Sequence, residues 1–198
     1  MSRLSVPLFP LQTVLFPGGL LPLRVFEPRY LDMISRCMQA SESFGVVLIV
    51  AGSEVAGEVL TQANGTLATI CDWYQGADGL LGITAMGGSR FRLLSMHRQD
   101  DGLNLGDIEI LPPEPDIPVP GDYAVMSDLL RVVIDDLGHL YEKVEHHFDD
   151  ASWVGYRFAE ILPLTPERKQ YCLEMDDPVA RLEFLRPFLR QIHTQQIQ

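Results

Sequence analysis

An α+β chain in two parts, a strand-rich half with one helix followed by a helical bundle, is the fold class the sequence predicts. Three observations carry it. Before residue 111 the apolar residues alternate or form short β-branched runs, with turn signals between them. After residue 122 they recur every three or four positions. Between the two patterns lies Leu111-Pro-Pro-Glu-Pro-Asp-Ile-Pro-Val-Pro-Gly121. Proline removes an amide donor and restricts the residue before it, so this stretch continues neither a strand nor a helix. It reads as a semi-extended linker dividing residues 1–116 from residues 117–198.

In the first part, Leu21, Leu23 and Val25 alternate with Pro22, Arg24 and Phe26, the period of a strand. Gly45-Val-Val-Leu-Ile-Val50 is a strand expected to be buried on both faces. Further strands are expected at 58–62, 66–74, 80–86, 91–97 and 106–111. Turns are expected at Asn64-Gly65, Asp78-Gly79, Gly87-Gly88 and Asp101-Gly102. One helix breaks the series: Pro28 suits a first turn, and Leu31, Ile34 and Met38 share a face up to Ala40. The sum is a compact, mostly antiparallel barrel or sandwich.

In the second part, Tyr123, Met126, Leu130, Val133, Leu137, Leu140 and Val144 form one seam. They predict a helix over 122–147, roughly 39 Å long, with Gly138 costing about 1 kcal/mol in its middle. A second helix, 152–162, stops at Pro163. Thr165-Pro166-Glu167 supplies a cap, a first-turn proline and an acid for a third. Asp177-Pro178 starts a fourth, which Pro187 is expected to kink or interrupt. Four helices with short connections make a small bundle.

Composition narrows the function. The chain has 198 residues, 46% apolar and 21% charged, an ordinary globular mixture. Its net charge of −12 opposes nucleic-acid and anionic-membrane partners, which need a positive field. The imbalance sits in residues 99–150, which hold two basic and 14 acidic side chains. Only Lys143 and Lys169 are lysines, so a phosphate-loop, Ser-Lys or Schiff-base enzyme would have to use one of them. Cys37, Cys71 and Cys172 are far apart and odd in number, as in a reduced cytoplasmic protein with buried thiols. Pro7 and Pro10 spoil a signal-peptide core, and the longest apolar run is Val46 to Ala51, too short for a membrane span.

The search for chemistry finds no complete machinery. Gly82-Ile-Thr-Ala-Met-Gly87-Gly88-Ser89 begins like a phosphate loop, but glycine stands where the lysine belongs and the context is strand-turn-strand. His139, Glu142 and His146 have metal-ligand offsets along a helix, yet read first as a solvated face. His97 and His193 stand alone. The acids of 99–150 read as the wet side of a helix. Trp73, Tyr74 and Trp153 read first as core aromatics. Arg24, Glu27, Arg29 and Tyr30 are the densest polar and aromatic cluster, with a Glu27–Arg29 pair fixing the helix start or joining a recognition surface. No set supplies nucleophile, base and oxyanion donor together. No catalytic, cofactor-binding or metal-binding residue is assigned.

The segment Pro7-Leu-Phe-Pro-Leu-Gln-Thr-Val-Leu-Phe-Pro-Gly-Gly-Leu-Leu-Pro-Leu-Arg-Val-Phe-Glu-Pro-Arg-Tyr30 resembles the opening of the Lon protease N-terminal (substrate-binding) domain family. The likeness extends to Phe44-Gly-Val-Val-Leu48, Gly65-Thr-Leu-Ala-Thr-Ile70 and Gly88-Ser-Arg-Phe-Arg-Leu93. It continues in Ser152-Trp-Val-Gly-Tyr-Arg-Phe-Ala-Glu-Ile-Leu-Pro-Leu164 and Arg181-Leu-Glu-Phe-Leu185, so nearly the whole chain is covered. The resemblance implies a PUA-like β pseudobarrel with one helix, followed by a C-terminal helical bundle. It further implies a stand-alone relative of the domain that captures unfolded or tagged proteins, without ATPase or peptidase modules.

The expected function is a non-catalytic module binding unfolded or extended polypeptide, an adaptor in proteolysis or quality control. Its partners are other proteins or peptides, with self-association open and neither membrane nor cofactor. The candidate surface joins Arg24, Glu27, Arg29 and Tyr30 to Arg90 and Phe91. The alternative is an RNA or small-ligand binder using Arg90, Arg92 and Arg98. A hydrolase with an unrecognised site ranks third.

Overall fold

The computed structural model describes residues 3–50, 59–138, 141–142 and 144–195. It divides into two compact units, Met1–Pro113 and Glu114–Gln198.

The first unit contains β1 (Arg3–Leu11), β2 (Leu20–Val25), α1 (Pro28–Ala40), β3 (Phe44–Ile49), β4 (Thr61–Gln75), β5 (Leu81–Arg98) and β6 (Asn104–Ile110). Neighbours follow the order β2-β5-β4-β3-β1-β6, and β6 also pairs with β5. Five strands therefore close on themselves, and β2 flanks β5 outside the ring. β1 and β3 run parallel; the other pairs are antiparallel. Both faces of β3 are buried, one of them against α1. Val46 joins an apolar cluster with Phe9, Tyr30, Met33, Ile34, Phe44 and Ile83, while Val47 joins Val6, Leu8, Phe91 and Ile108. That is why β3 reads as an unbroken apolar run.

β1 carries Pro7 and Pro10 and gives no strand signal in the sequence. Its pairing explains why prolines are tolerated. β1 pairs with β6 through Arg3–Leu8 and with β3 through Leu8–Leu11. At each proline the strand has a neighbour on one side only, so it is locally an edge where the missing donor costs little.

Two expected turns are corrected. β4 runs straight through Asn64-Gly65, and β5 through Gly87-Gly88. These glycines admit close backbone approach instead. A Cβ on Gly65 would strike the Val46 carbonyl and come 2.6 Å from Phe91 Cζ, and one on Gly87 would strike the Phe16 carbonyl. Bulges in β4 and β5 bend the long strands around the ring. The turns at Asp78-Gly79 and Asp101-Gly102 form as expected, with both glycines at positive φ. α1 has the expected span, but its buried face is Tyr30, Met33, Ile34 and Cys37, leaving Met38 exposed.

The second unit holds α2 (Ala124–Leu137), α3 (Ala151–Ile161), α4 (Pro166–Glu174) and α5 (Pro178–Gln195), after a short 3₁₀ turn at Gly121–Tyr123. The predicted helix over 122–147 is too long: α2 stops at Gly138, which takes positive φ and donates its amide to Ile134. Tyr141 and Val144 are nevertheless buried, so the apolar pattern persists without the helix. Asp150 caps α3 through Ser152 and Trp153, and Thr165 caps α4 through Arg168. Asp177 accepts from Val179 and Ala180 at the start of α5, which continues through Pro187 without interruption.

The second unit's interior is more charged than its sequence suggests. Arg181 is fully buried, and its guanidinium grips both oxygens of Glu114 and the carbonyls of Cys172 and Met175. Its flat face lies 3.9 Å from the centre of the Tyr156 ring, whose hydroxyl donates to Glu114. Gly155 makes room, since a Cβ there would sit 3.0 Å from Arg181 Cδ. Burial alone would raise the Glu114 carboxyl, but Arg181 and Tyr156 outweigh it and hold it below the usual range. The segment expected to be a semi-extended linker is extended but tied down. Pro118 bridges Asp150, Val119 donates to the Asp149 carbonyl, and Ala151 donates to that of Ile117.

Candidate functional site

β4 changes character along its length. Residues Gly65 to Ala68 lie between β3 and β5. Beyond Ala68, β3 has ended, and Thr69–Gln75 pairs with β5 alone while β2 covers the far side of β5. Among the described residues no strand pairs with the other edge of Thr69–Gln75. Over this stretch β4 is an edge strand among the described residues.

The C-terminal end of α1 walls this edge. Cys37, Met38, Ser41 and Glu42 face Thr69, Ile70, Cys71, Asp72 and Trp73 across a groove of about 460 Å³. Ser41 is the only described non-glycine residue with positive φ, and its amide closes α1 on the Cys37 carbonyl. The register shifts between Ile70 and Asp72, and the Cys71 thiol donates to the Thr84 carbonyl at 3.3 Å. Asp72 accepts from the Trp73 amide at 2.9 Å. The Trp73 side chain is 59% exposed and Met38 40%. Burial raises the Cys37 thiol; Glu42 pushes the same way and Arg36 opposes it.

On the other face of the same strands, Tyr74 packs over Gly82. Arg24 on β2 pairs with Asp78 beside it, rimming a hollow of about 320 Å³ with Gly76 and Leu80. Trp73 and Tyr74 are thus corrected from core to surface, and only Trp153 is buried. The sequence did hold a signal. Adjacent residues of a strand point to opposite faces, so two neighbouring aromatics just before the Gly76–Gly79 turn leave at least one in water. Nothing in the sequence marked Ser41, Glu42 or Asp72.

The sequence candidates do not assemble into one surface. Tyr30 is buried and stacks on Phe9, ring centres 4.1 Å apart. Phe91 is fully buried in the barrel and Arg90 is nearly so. Tyr30 lies on the buried face of α1, Phe91 packs with Val6, Leu8, Val47 and Ile108, and Arg90 is buried where β5 pairs with β4. Glu27 and Arg29 do pair, at 2.7 Å, and Arg29 donates to the Gly102 carbonyl at 3.0 Å. They tie the start of α1 to the β5–β6 turn. Of the six, Arg24 alone is openly exposed.

Glu142 and His146 are exposed, but α2 has ended before them and His139 lies outside the described residues. The helical spacing that suggested a metal site is therefore absent. Among the described residues no group of three or more His, Cys, Asp or Glu could hold a metal ion. Lys143 lies outside the described residues; Lys169 donates to the Glu160 carbonyl near the end of α3. No described helix is long and apolar enough to cross a membrane.

Residues 5–191 match the family model of the ATP-dependent protease La (LON) substrate-binding domain. The chain belongs to the Lon substrate-binding domain family. A Lon N-terminal domain protein from Xanthomonas campestris is 36% identical, with a TM-score of 0.77 over 93% of this chain and 98% of that one. The N-terminal domain of a Mycobacterium avium complex Lon protease shares the fold, with a TM-score of 0.66 at 16% identity over 93% of this chain and 97% of that one. Cereblon from Gallus gallus is 28% identical over 111 residues, 54% of this chain, and cereblon from Xenopus tropicalis 27% over 109 residues, also 54%. The chain matches 24% of the length of each cereblon. The Lon substrate-binding domain fold thus accounts for the six-stranded mixed sheet and the helices after it.

Proposed function

We propose that this protein is a non-catalytic module that holds unfolded or extended stretches of other polypeptides, as an adaptor in cytoplasmic proteolysis or quality control. The observation that supports the reading most is the family match over residues 5–191, a domain described by its substrate binding. The edge of β4 that no described strand covers supports the reading, since an extended chain can add to a sheet edge by main-chain hydrogen bonds. The RNA alternative loses part of its arginine patch, because Arg90 is buried.

Fluorescence anisotropy tests the proposal. Reduced, alkylated ribonuclease A carrying fluorescein should bind saturably, with a Kd of about 1–100 µM, while native ribonuclease A does not compete. No binding to the unfolded chain, or equal competition by the native one, removes the reading. Hydrolysis of ATP or peptide by the pure protein, abolished by one point change, removes its non-catalytic part.

A further inference from the structure

We propose that the outward face of α2 is a docking surface for a basic amphipathic helix of another protein. The surface lies wholly in the helical unit and goes beyond the polypeptide-holding reading, on which it does not rest.

α2 has two apolar stripes, and the core uses one. Met126, Leu130 and Ile134 are buried. Val125, Leu129 and Val132 follow a second line at spacings of four and three, a helical face of their own. Along it Val125 is 77% exposed and Val132 57%, while Leu129 is half-buried. A single exposed valine needs no explanation, but apolar side chains on successive turns of one face make a stripe. Helix propensity does not account for it, because β-branched side chains lose rotamer freedom in a helix. A packing partner does.

Charge selects the partner. Asp136 continues the stripe four residues after Val132, and Asp128 and Asp135 flank it, three residues after each valine. The one cation of α2, Arg131, lies about 100° round the helix from Val132, over the Phe148 ring at 4.1 Å. A second copy would set these carboxylates against their own kind. Area opposes a second copy too, because a 14-residue helix, about 21 Å long and about 10 Å wide, offers about 200 Å² per partner. That is well below the total burial of roughly 1,200 Å² at the lower bound of a stable interface. A helix that carries an apolar stripe between lysines or arginines fits both features. Its stripe meets the valines and its cations meet Asp128, Asp135 and Asp136. The small area makes the contact weak and reversible.

The probe is a fluorescein-labelled peptide of about 18 residues, with leucines along one helical face between lysines, long enough to form a helix. One counterpart carries glutamate for lysine, and another carries a central proline that breaks the helix without changing the charge. By anisotropy against the full chain at fixed salt, the lysine peptide should bind at least about tenfold tighter than either counterpart. Val125→Gln with Val132→Gln, a change that suits an exposed helix, should weaken it about tenfold. Asp128→Lys with Asp136→Lys should weaken it about as much and strengthen the glutamate peptide. The same reversal at Asp32 and Asp100, two exposed acids of the first unit, should alter it less than about twofold. Equal binding of the proline peptide, no loss from the valine pair, or equal losses from the two charge reversals overturns the proposal. So does a wild-type dimer in sedimentation that Val125→Gln with Val132→Gln dissolves, since a second copy then covers the stripe.

Discussion

The two units treat their polar groups in opposite ways. The helical unit encloses charge: Arg181 and Arg157 are fully buried, one gripping Glu114 and the other paired with Glu160 at 2.9 Å. The β unit closes most of its ladder into a ring, yet leaves one strand edge, two carboxylates and a tryptophan in water beside a groove. A buried pair fixes one arrangement because either partner alone is costly. An open edge leaves hydrogen-bonding capacity for something else. On the function proposed above, the helical unit would be the rigid part and the β4 edge the part that binds.

The largest expected effect breaks the buried network. Arg181→Met leaves Glu114 buried without its partner and should cost about 3–5 kcal/mol of unfolding free energy, measured by urea denaturation with Trp153 fluorescence. Adding Glu114→Gln should recover part of that loss, because the orphaned charge is gone. Acid sharpens the point. Glu114 has a lowered folded pKa, so its stabilisation is complete above the unfolded glutamate value and disappears as pH falls through the folded one. Wild type should therefore lose stability on acidification below about pH 4.3 more steeply than Glu114→Gln does.

In the β unit the corresponding test is steric. Gly87→Ala drives a Cβ into the Phe16 carbonyl and should cost about 1–3 kcal/mol. Gly88→Ala has its nearest neighbour 3.5 Å away, the Leu67 carbonyl, and should be close to neutral in the same thermal melt. Asp150→Ala removes the α3 cap and should cost about 1 kcal/mol. Smallest in stability is Trp73→Ala, within about 0.5 kcal/mol of wild type because the ring is exposed, yet it should lower affinity for unfolded ribonuclease A severalfold.

Local chemistry was the legible part of the fold. Pro28, Thr165-Pro166 and Asp177-Pro178 mark helix starts because capping acts within one turn, and all three stand where expected. Signals with two meanings misled. Glycine serves both a turn and a close backbone approach, so the sequence divides β4 and β5 at Gly65 and Gly87, which crowd against the Val46 and Phe16 carbonyls. Prolines hide β1, because only its partners reveal that each proline pairs with a strand on one side alone. The apolar seam outlived its helix, since Tyr141 and Val144 remain buried after Gly138 has ended α2. For the site, Tyr30, Arg90 and Phe91 stand in family-like motifs for reasons of packing. Glu42 and Trp73 meet only through the tertiary fold, which no spacing along the chain displays.

Amide hydrogen exchange with and without saturating unfolded ribonuclease A tests the central claim most directly. Protection should rise at Thr69–Gln75 and around Cys37–Glu42, with α3 unchanged. Protection that rises instead on the helices or on β6, with Thr69–Gln75 exchanging as fast as in the free protein, would contradict it.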